Sequence, residues 1–439
     1  MSNKDNKVIV IDAMCGNGKT SYAIELINEN PNQSYVYVTP LLSEIDRIKK
    51  ATKKPFYDPI FKDGRKINGL NDLLCSGFNI AVTHSTFSNS TDETVEFIRQ
   101  GNYTLILDEV IDVVTEFNDI NNNSKKVKPK DIKLLLNEGI ITTDKYGYVE
   151  WIGDSYVGGS FTEIERLAKR KNLLLINNTL FLWEFPIDVF LAFDKVIILT
   201  YLFNGSILKY FFDYHDVSYI LSSVEKSEEK YNLVEYKSDI QERKKYKDLI
   251  KICTDEKLNN YPYSAFTSSW YKSNIGNNKK LIKSIHLKNN LYNYFRHKQK
   301  AKVSQVMWTT YENSKKAVEA SGYIKIRNLK TDEKNQLSPF EQKKLENKLS
   351  CFVPCNARAT NDFRERNVLA YLCNMWINPY IKSFFQYKSI VINEDAFALS
   401  CLIQWVWRSC IRDGKKIYLY LPSQRMRKLF INWLEENTC

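Results

Sequence analysis

No run of about 18 consecutive apolar residues occurs in the chain, so no membrane-spanning helix is expected. The nine cysteines form no paired CxxC pattern. Cys351 and Cys355 are close together but lack His or Cys companions at zinc-site spacing. Reduced thiols are therefore expected, not a metal centre or a disulfide framework. The polar first residues lead straight into a strand with no signal-peptide pattern, and the expected location is the cytoplasm. No internal repeat or low-complexity tract is present. Acidic residues are in deficit, with 51 Asp and Glu against 63 Lys and Arg, a net charge of +12. A sequence pI near 9.0 favours a polyanionic partner, although a basic, solvated surface gives the same number.

What is present is 439 residues with 44% hydrophobic content, enough for two domain cores. The first half alternates short apolar runs with helix-like stretches. Val8–Ile11, Tyr35–Val38, Ile80–Thr83, Thr104–Leu107 and Val196–Leu199 read as buried parallel strands, which makes an α/β sheet. An insertion of about 115–183 opens with the polar run NDINNNSKKVKPK. It continues with a helix (Ile132–Asn137) and a hairpin (Ile140–Trp151, turning near Lys145–Gly147). The charged stretch Glu225–Asp248 marks a boundary, giving domains of 1–235 and 236–439. In the second domain Ser264–Thr267, Gln305–Thr309, Cys351–Val353 and Ile417–Tyr420 are expected strands.

The strongest local signal is VIVIDAMCGNGKTS, Val8 to Ser21. A buried strand, a glycine-bearing loop and a helix start at Gly18–Lys19–Thr20 form the context of a phosphate-binding loop. Gly16 and Gly18 let backbone N–H groups approach phosphate oxygens, and the helix start adds donors. Ala13, Gly16, Asn17, Gly18, Lys19, Thr20 and Ser21 are the candidate nucleotide contacts. Lys19 is expected to reach the β- and γ-phosphates, and Thr20 to ligate Mg²⁺. Downstream, the strand TLIL ends in Asp108–Glu109. Asp108 is the candidate for the metal shell and Glu109 for polarising the attacking water. Thr39 and Thr83 end two further strands and, with Thr267, are candidate contacts to a nucleic-acid backbone. For each one alone, ordinary helix capping explains it as well. His84 reads as structural. Thr200, after Val196–Leu199, is either a coupling hydroxyl or part of a turn.

Near the C-terminus, Gln404, Arg408 and Arg412 recur every four residues. On a continuous helix they would share one face, drifting about 40° per step. Such a stripe can bond a γ-phosphate through Gln and neutralise developing charge through Arg; an exposed charged face is the alternative.

Taken in order, these segments resemble the motifs of superfamily-two helicases, the DExD/H-box class. AMCGNGKT resembles motif I and LDEV motif II. VTPL and VTHSTF resemble motifs Ia and Ic, and ILTY stands at the place of motif III. AFTSSW resembles motif IV, NARATNDF (Asn356–Phe363) motif V, and QWVWRSCIR motif VI. Trp407 replaces the usual Gly, and Arg412 comes one residue later than usual, which leaves open which arginine is the finger. The wording of the last two is also similar to helicase-like proteins of bacteriophages. The resemblance implies two RecA-like doubly wound parallel-sheet domains, the first carrying an inserted α+β subdomain. It implies ATP and Mg²⁺ as cofactors, nucleic acid as partner (DNA before RNA), and work in phage DNA replication or recombination beside other such proteins. A terminase-like packaging ATPase and a nucleic-acid-binding ATPase switch that does not unwind are the competing readings.

Overall fold

The computed structural model describes residues 7–120, 126–153, 159, 161–228, 230–275, 282–356 and 362–435. Their contacts divide the chain into two units. The first takes the described residues of 1–12, 18–236 and 377–393; the second takes those of 13–17, 237–376 and 394–439. Among the described residues no helix is long and apolar enough to cross a membrane.

The first unit runs through β1 (Val8–Asp12), β2 (Ser34–Thr39), β3 (Phe56–Tyr57), β4 (Asn79–Thr83), β5 (Tyr103–Asp108), β6 (Val114–Glu116), β7 (Ile141–Thr143), β8 (Val149–Trp151), β9 (Leu173–Ile176), β10 (Leu180–Glu184), β11 (Lys195–Thr200), β12 (Tyr219–Ser227) and β13 (Lys230–Glu235). Its main sheet has the order β13-β12-β1-β11-β5-β2-β4-β3. All neighbours pair in parallel except β12 with β13. All five runs read as strands lie in this sheet, because continuous apolar runs suit a parallel sheet covered on both faces. On one face, Ile11, Tyr35, Tyr37, Ile106, Ile197 and Leu199 pack with Ala23 and Ile27 of the helix Lys19–Glu29 and Ile45 and Ile48 of the helix Leu42–Ala51. Each fully buried aliphatic side chain there contributes roughly 1.5–3 kcal/mol.

The insertion leaves the sheet after β5 and returns at β11. It forms an antiparallel sheet of order β6-β10-β9 and the expected hairpin, β7 with β8. The expected helix spans Pro129–Asn137, with Pro129 in its first turn, where no N–H is lost to the ladder.

The second unit has a sheet of order β14-β17-β16-β15, made of β14 (Ile250–Ile252), β15 (Val306–Thr309), β16 (Val368–Tyr371) and β17 (Ile417–Tyr420), all parallel. Two of the expected strands are corrected. Ser264–Thr267 is a turn that leads into the helix Ser268–Ile275. Cys351–Val353 forms a single parallel bridge, Phe352 to Trp308. β14 and β16 complete the sheet instead. Arg366, two residues before β16, is almost fully buried and donates to four backbone carbonyls. Nη1 donates to Val303 (3.3 Å) and Val306 (3.0 Å), and Nη2 to Lys348 (3.0 Å) and Ser350 (3.3 Å).

Candidate nucleotide site at the carboxyl edge of the first sheet

β1 ends in Asp12, whose buried carboxylate accepts the backbone N–H of Leu202 (2.8 Å) and of Phe203 (2.9 Å) in the turn after β11. That bond pair pins the start of the loop to the neighbouring strand. Ala13 and Met14 are buried. Gly16 and Gly18 take φ of +100° and +82°, the left-handed region that favours glycine. At Gly18 a Cβ would also lie 2.0 Å from the ring of Tyr231 on β13, so no larger residue fits. Asn17 donates its amide to Glu242, a residue of the same contact unit. The helix Lys19–Glu29 then starts with no side-chain cap and no acid in its first turn. Such a start offers backbone donors and the positive end of the dipole to an anion. Lys19, Thr20 and Ser21 are half-buried on that turn.

Strand order brings the second half of the site alongside. β11 lies between β1 and β5, with Asp12 level with Thr200 and Leu199 level with Asp108. Three polar strand ends therefore stand side by side. Burial pushes the Asp108 carboxyl up to about 7, and the neighbouring Glu109 charge adds to the rise; a hydrogen bond from Tyr37 and the charge of Lys19 oppose it. The Tyr37 hydroxyl donates to Asp108 Oδ2 at 2.9 Å, and His84 Nε2 lies 3.0 Å from the Asp108 carbonyl oxygen. Glu109 has φ of +64°, a left-handed backbone that costs a non-glycine residue roughly 1–3 kcal/mol. Its N–H is fixed to the Leu199 carbonyl at 2.9 Å.

A carboxylate destabilised by burial and by a like charge is one that a divalent cation would favour in its ionised form. Thr20 and Asp108 supply hard oxygen donors, the chemistry Mg²⁺ selects. Among the described residues no group of three or more His, Cys, Asp or Glu side chains is arranged for a metal. An ion at this edge would be completed by phosphate and water oxygens, as Mg²⁺ commonly is.

The candidate nucleic-acid contacts are placed unequally. Thr39 is corrected: it is fully buried, so its hydroxyl does not present to a backbone phosphate. Thr83 is half-buried and caps the short helix His84–Phe87, accepting from Thr86 N–H at 3.4 Å. Thr267 is half-buried and accepts from Trp270 N–H at 3.1 Å. Residues 357–361 of the NARATNDF segment lie outside the described residues.

The arginine stripe is also corrected. The helix Glu394–Val406 ends before Arg408, and Arg412 lies on a separate 3-10 turn, Cys410–Asp413. Ser409 donates its hydroxyl to the Val406 carbonyl (2.7 Å) and caps the 3-10 turn, accepting from Ile411 N–H. Gln404 is half-buried beside Ser400 (3.3 Å), Arg408 is buried and Arg412 is exposed. The three residues thus do not share one helical face.

Sequence reasoning missed Asp12 and Tyr37 and took His84 for a structural histidine. Asp12 was open to notice, since it is the one charge closing VIVID before the loop. Nothing in a single sequence marks Tyr37.

Residues 244–434 match a family model described as the YonV C-terminal Rossmann-like domain, and residues 122–183 match the YonV middle domain. One relative, the SPbeta prophage-derived uncharacterized protein YonV of Bacillus subtilis (strain 168), is 35% identical over 446 residues, covering 98% of this chain and 99% of that protein. Its prophage origin bears out the bacteriophage side of the resemblance. Among solved structures, Xpd4 of S. tokodaii is 12% identical with a TM-score of 0.49, covering 98% of this chain and 94% of that one. A chain titled XPD helicase is 14% identical with a TM-score of 0.49, covering 99% and 95%. The DUF1998 helicase MrfA bound to DNA is 10% identical with a TM-score of 0.37, covering 98% of this chain and 49% of that one.

Proposed function

The chain belongs to the YonV family, and from that premise we propose that it is an ATP-dependent motor on nucleic acid, a helicase or translocase with two RecA-like domains. The observation that carries this reading is the alignment of three strand ends: Asp12 of β1, Thr200 of β11 and Asp108 of β5. In open parallel sheets, ligands bind at the carboxyl ends of the strands. Backbone N–H groups of the loop and of the helix start hold the phosphates, and Lys19 neutralises the β- and γ-phosphate charge. Thr20 and Asp108 would hold Mg²⁺, which would neutralise phosphate charge there. Glu109 orients the attacking water and takes its proton. Gln404 is the candidate γ-phosphate contact, and Arg408 or Arg412 the cation for the transition state.

The partner is nucleic acid, DNA before RNA, attracted by the net positive charge of the chain. Thr83 and Thr267 are the candidate backbone contacts that have some surface exposed. The biological setting we assign is phage DNA replication or recombination. A packaging motor with a two-metal nuclease is disfavoured. β14, β15, β16 and β17 end in Ile252, Thr309, Tyr371 and Tyr420, and none of these is a carboxylate.

The test is ATPase rate measured in parallel with single-stranded DNA, duplex DNA, RNA and no nucleic acid, beside a duplex-unwinding assay. Stimulation by a nucleic acid is expected, with falling affinity as NaCl rises. A turnover indifferent to all three nucleic acids would overturn the motor reading; stimulation without unwinding or translocation would leave the switch.

A further inference from the structure

Two side chains, one on β2 and one at the start of the helix that follows the neighbouring β4, converge on a single residue of the site. Tyr37, on β2, is fully buried within the first unit, and its hydroxyl reaches one oxygen of the Asp108 carboxylate, Oδ2, at 2.9 Å. His84 follows β4 and reaches the main chain of the same residue, with Nε2 3.0 Å from the Asp108 carbonyl oxygen. A carbonyl only accepts, so Nε2 carries the proton in this contact. The peptide thus held is the one joining Asp108 to Glu109, and Glu109 is the residue with φ of +64°. Its N–H is fixed from the other side by the Leu199 carbonyl, 2.9 Å away. Both hydrogen-bonding groups of one peptide, its carbonyl and its N–H, are therefore tied, and the side chain preceding it has one oxygen occupied.

Rotation of the Asp108 carboxylate would break the Tyr37 bond, so Oδ2 stays turned toward β2 and Oδ1 is left for another ligand. Relaxation of Glu109 to an ordinary backbone conformation would turn the peptide plane and break the His84 or Leu199 bond. A strained backbone persists only where its surroundings over-determine it, and such places cluster at functional sites.

We propose that Tyr37 and His84 are positioning residues for the Asp108–Glu109 pair: Tyr37 aims the free oxygen of Asp108 at the metal, and His84 holds the backbone turn that aims Glu109. The proposal rests on the ATPase reading above. It assigns separate consequences to the two residues, one on metal affinity and one on turnover.

The experiment uses the full chain with Tyr37→Phe, His84→Ala and His84→Gln, and Lys19→Ala as control. Mn²⁺ binding is followed by electron paramagnetic resonance in the presence of a non-hydrolysable ATP analogue. Metal-free nucleotide affinity is measured by fluorescence in EDTA, kcat by steady-state ATPase, and folding by thermal melting. Tyr37→Phe should weaken Mn²⁺ binding about tenfold, the lower end for loss of a partner that orients a metal ligand, with metal-free nucleotide affinity unchanged. His84→Ala should lower kcat roughly tenfold or more at unchanged Mn²⁺ and nucleotide affinity. His84→Gln, whose amide can donate to the same carbonyl, should recover part of that loss. Wild-type Mn²⁺ affinity in Tyr37→Phe together with wild-type kcat in His84→Ala overturns the proposal. So does a loss that follows the melting temperature and that His84→Gln does not recover. If the wild-type chain shows no nucleotide-dependent Mn²⁺ binding that Lys19→Ala abolishes, the ATPase reading itself falls.

Discussion

The two parallel sheets treat their polar groups in opposite ways. At the carboxyl edge of the first, β1, β11 and β5 end in Asp12, Thr200 and Asp108, and β4 ends in Thr83. Burial and the neighbouring Glu109 charge push the Asp108 carboxyl up there. In the second, the buried charges Arg366 and Arg425 are spent on structure. Arg366 satisfies four backbone carbonyls. Arg425 bonds Asp395 (2.9 Å), the Met375 carbonyl (2.6 Å) and the Glu394 carbonyl (3.0 Å), with the Trp376 ring 3.8 Å from its guanidinium carbon. A group whose partners are complete stabilises the fold, whereas a destabilised carboxylate beside an uncapped helix start has something to gain from a ligand. The architecture is shared; the difference in satisfaction separates chemistry from scaffolding.

The sharpest way to break that contrast is to remove the cation of the first edge. Lys19→Ala should lower stimulated ATP hydrolysis by roughly 10³-fold, the upper range for deleting one preorganised electrostatic partner, with the melting temperature little changed. Normal turnover in the folded variant would cancel the phosphate-loop assignment. Glu109→Gln keeps the shape and loses the charge and basicity. It should slow kcat about 10²-fold or more while ATP affinity stays near wild type. Binding that collapses while turnover per bound ATP is normal would show that Glu109 does not act on the water.

The same contrast predicts the opposite signature in the second unit. Arg366→Met removes the donors and leaves buried carbonyls unpaired, at about 1–3 kcal/mol for each group that finds no water. A loss of roughly 3 kcal/mol in urea unfolding is expected, read as a lower midpoint. If stability holds and only ATP turnover falls, Arg366 belongs to the chemistry and the division between the sheets fails.

How much of this could be read beforehand follows from where each signal resides. The strands of the first sheet announce themselves because a parallel strand covered on both faces must be apolar throughout. β12 and β13 did not, since half of their antiparallel pair is exposed and charged, and Glu225–Asp248 read as a boundary. β14, three residues with a central lysine, carries too little pattern to stand out. Cys351–Val353 is as apolar as a strand, but one bridge to Trp308 is all its neighbours allow. The glycine-bearing loop between β1 and the helix Lys19–Glu29 was legible because glycine requirements are local. The surroundings of Asp108 were not, because Tyr37 and His84 lie 71 and 24 residues away in sequence. The arginine stripe failed for a local reason that was available: Ser409 is a capping residue, and a helix that stops at Val406 cannot carry a period of four through to Arg412.

That failure leads to the finest distinction. If one helix carried Arg408 and Arg412, the two would have similar environments and similar stability effects. They do not: Arg408 is buried in the turn after Val406, whereas Arg412 is exposed on the next 3-10 turn. Replacing Arg412 by Ala should cost little in unfolding free energy, on the order of 0.5 kcal/mol, because substitutions of exposed side chains are usually small. Replacing Arg408 by Ala removes a long side chain from a packed position, and its cost should exceed that of Arg412→Ala by at least about 1 kcal/mol. Equal effects on the urea midpoint would restore the continuous-helix reading. The stability difference also decides how the activities are read. A loss of stimulated turnover in Arg412→Ala, at unchanged stability and ATP affinity, assigns the transition-state cation directly. A loss in Arg408→Ala alone counts only after correction for the folded fraction, and Arg408→Lys supplies the control. Lysine keeps the charge and most of the buried stem but not the planar five-donor fork, so turnover that stays low in a stable Arg408→Lys protein marks a requirement for the guanidinium itself.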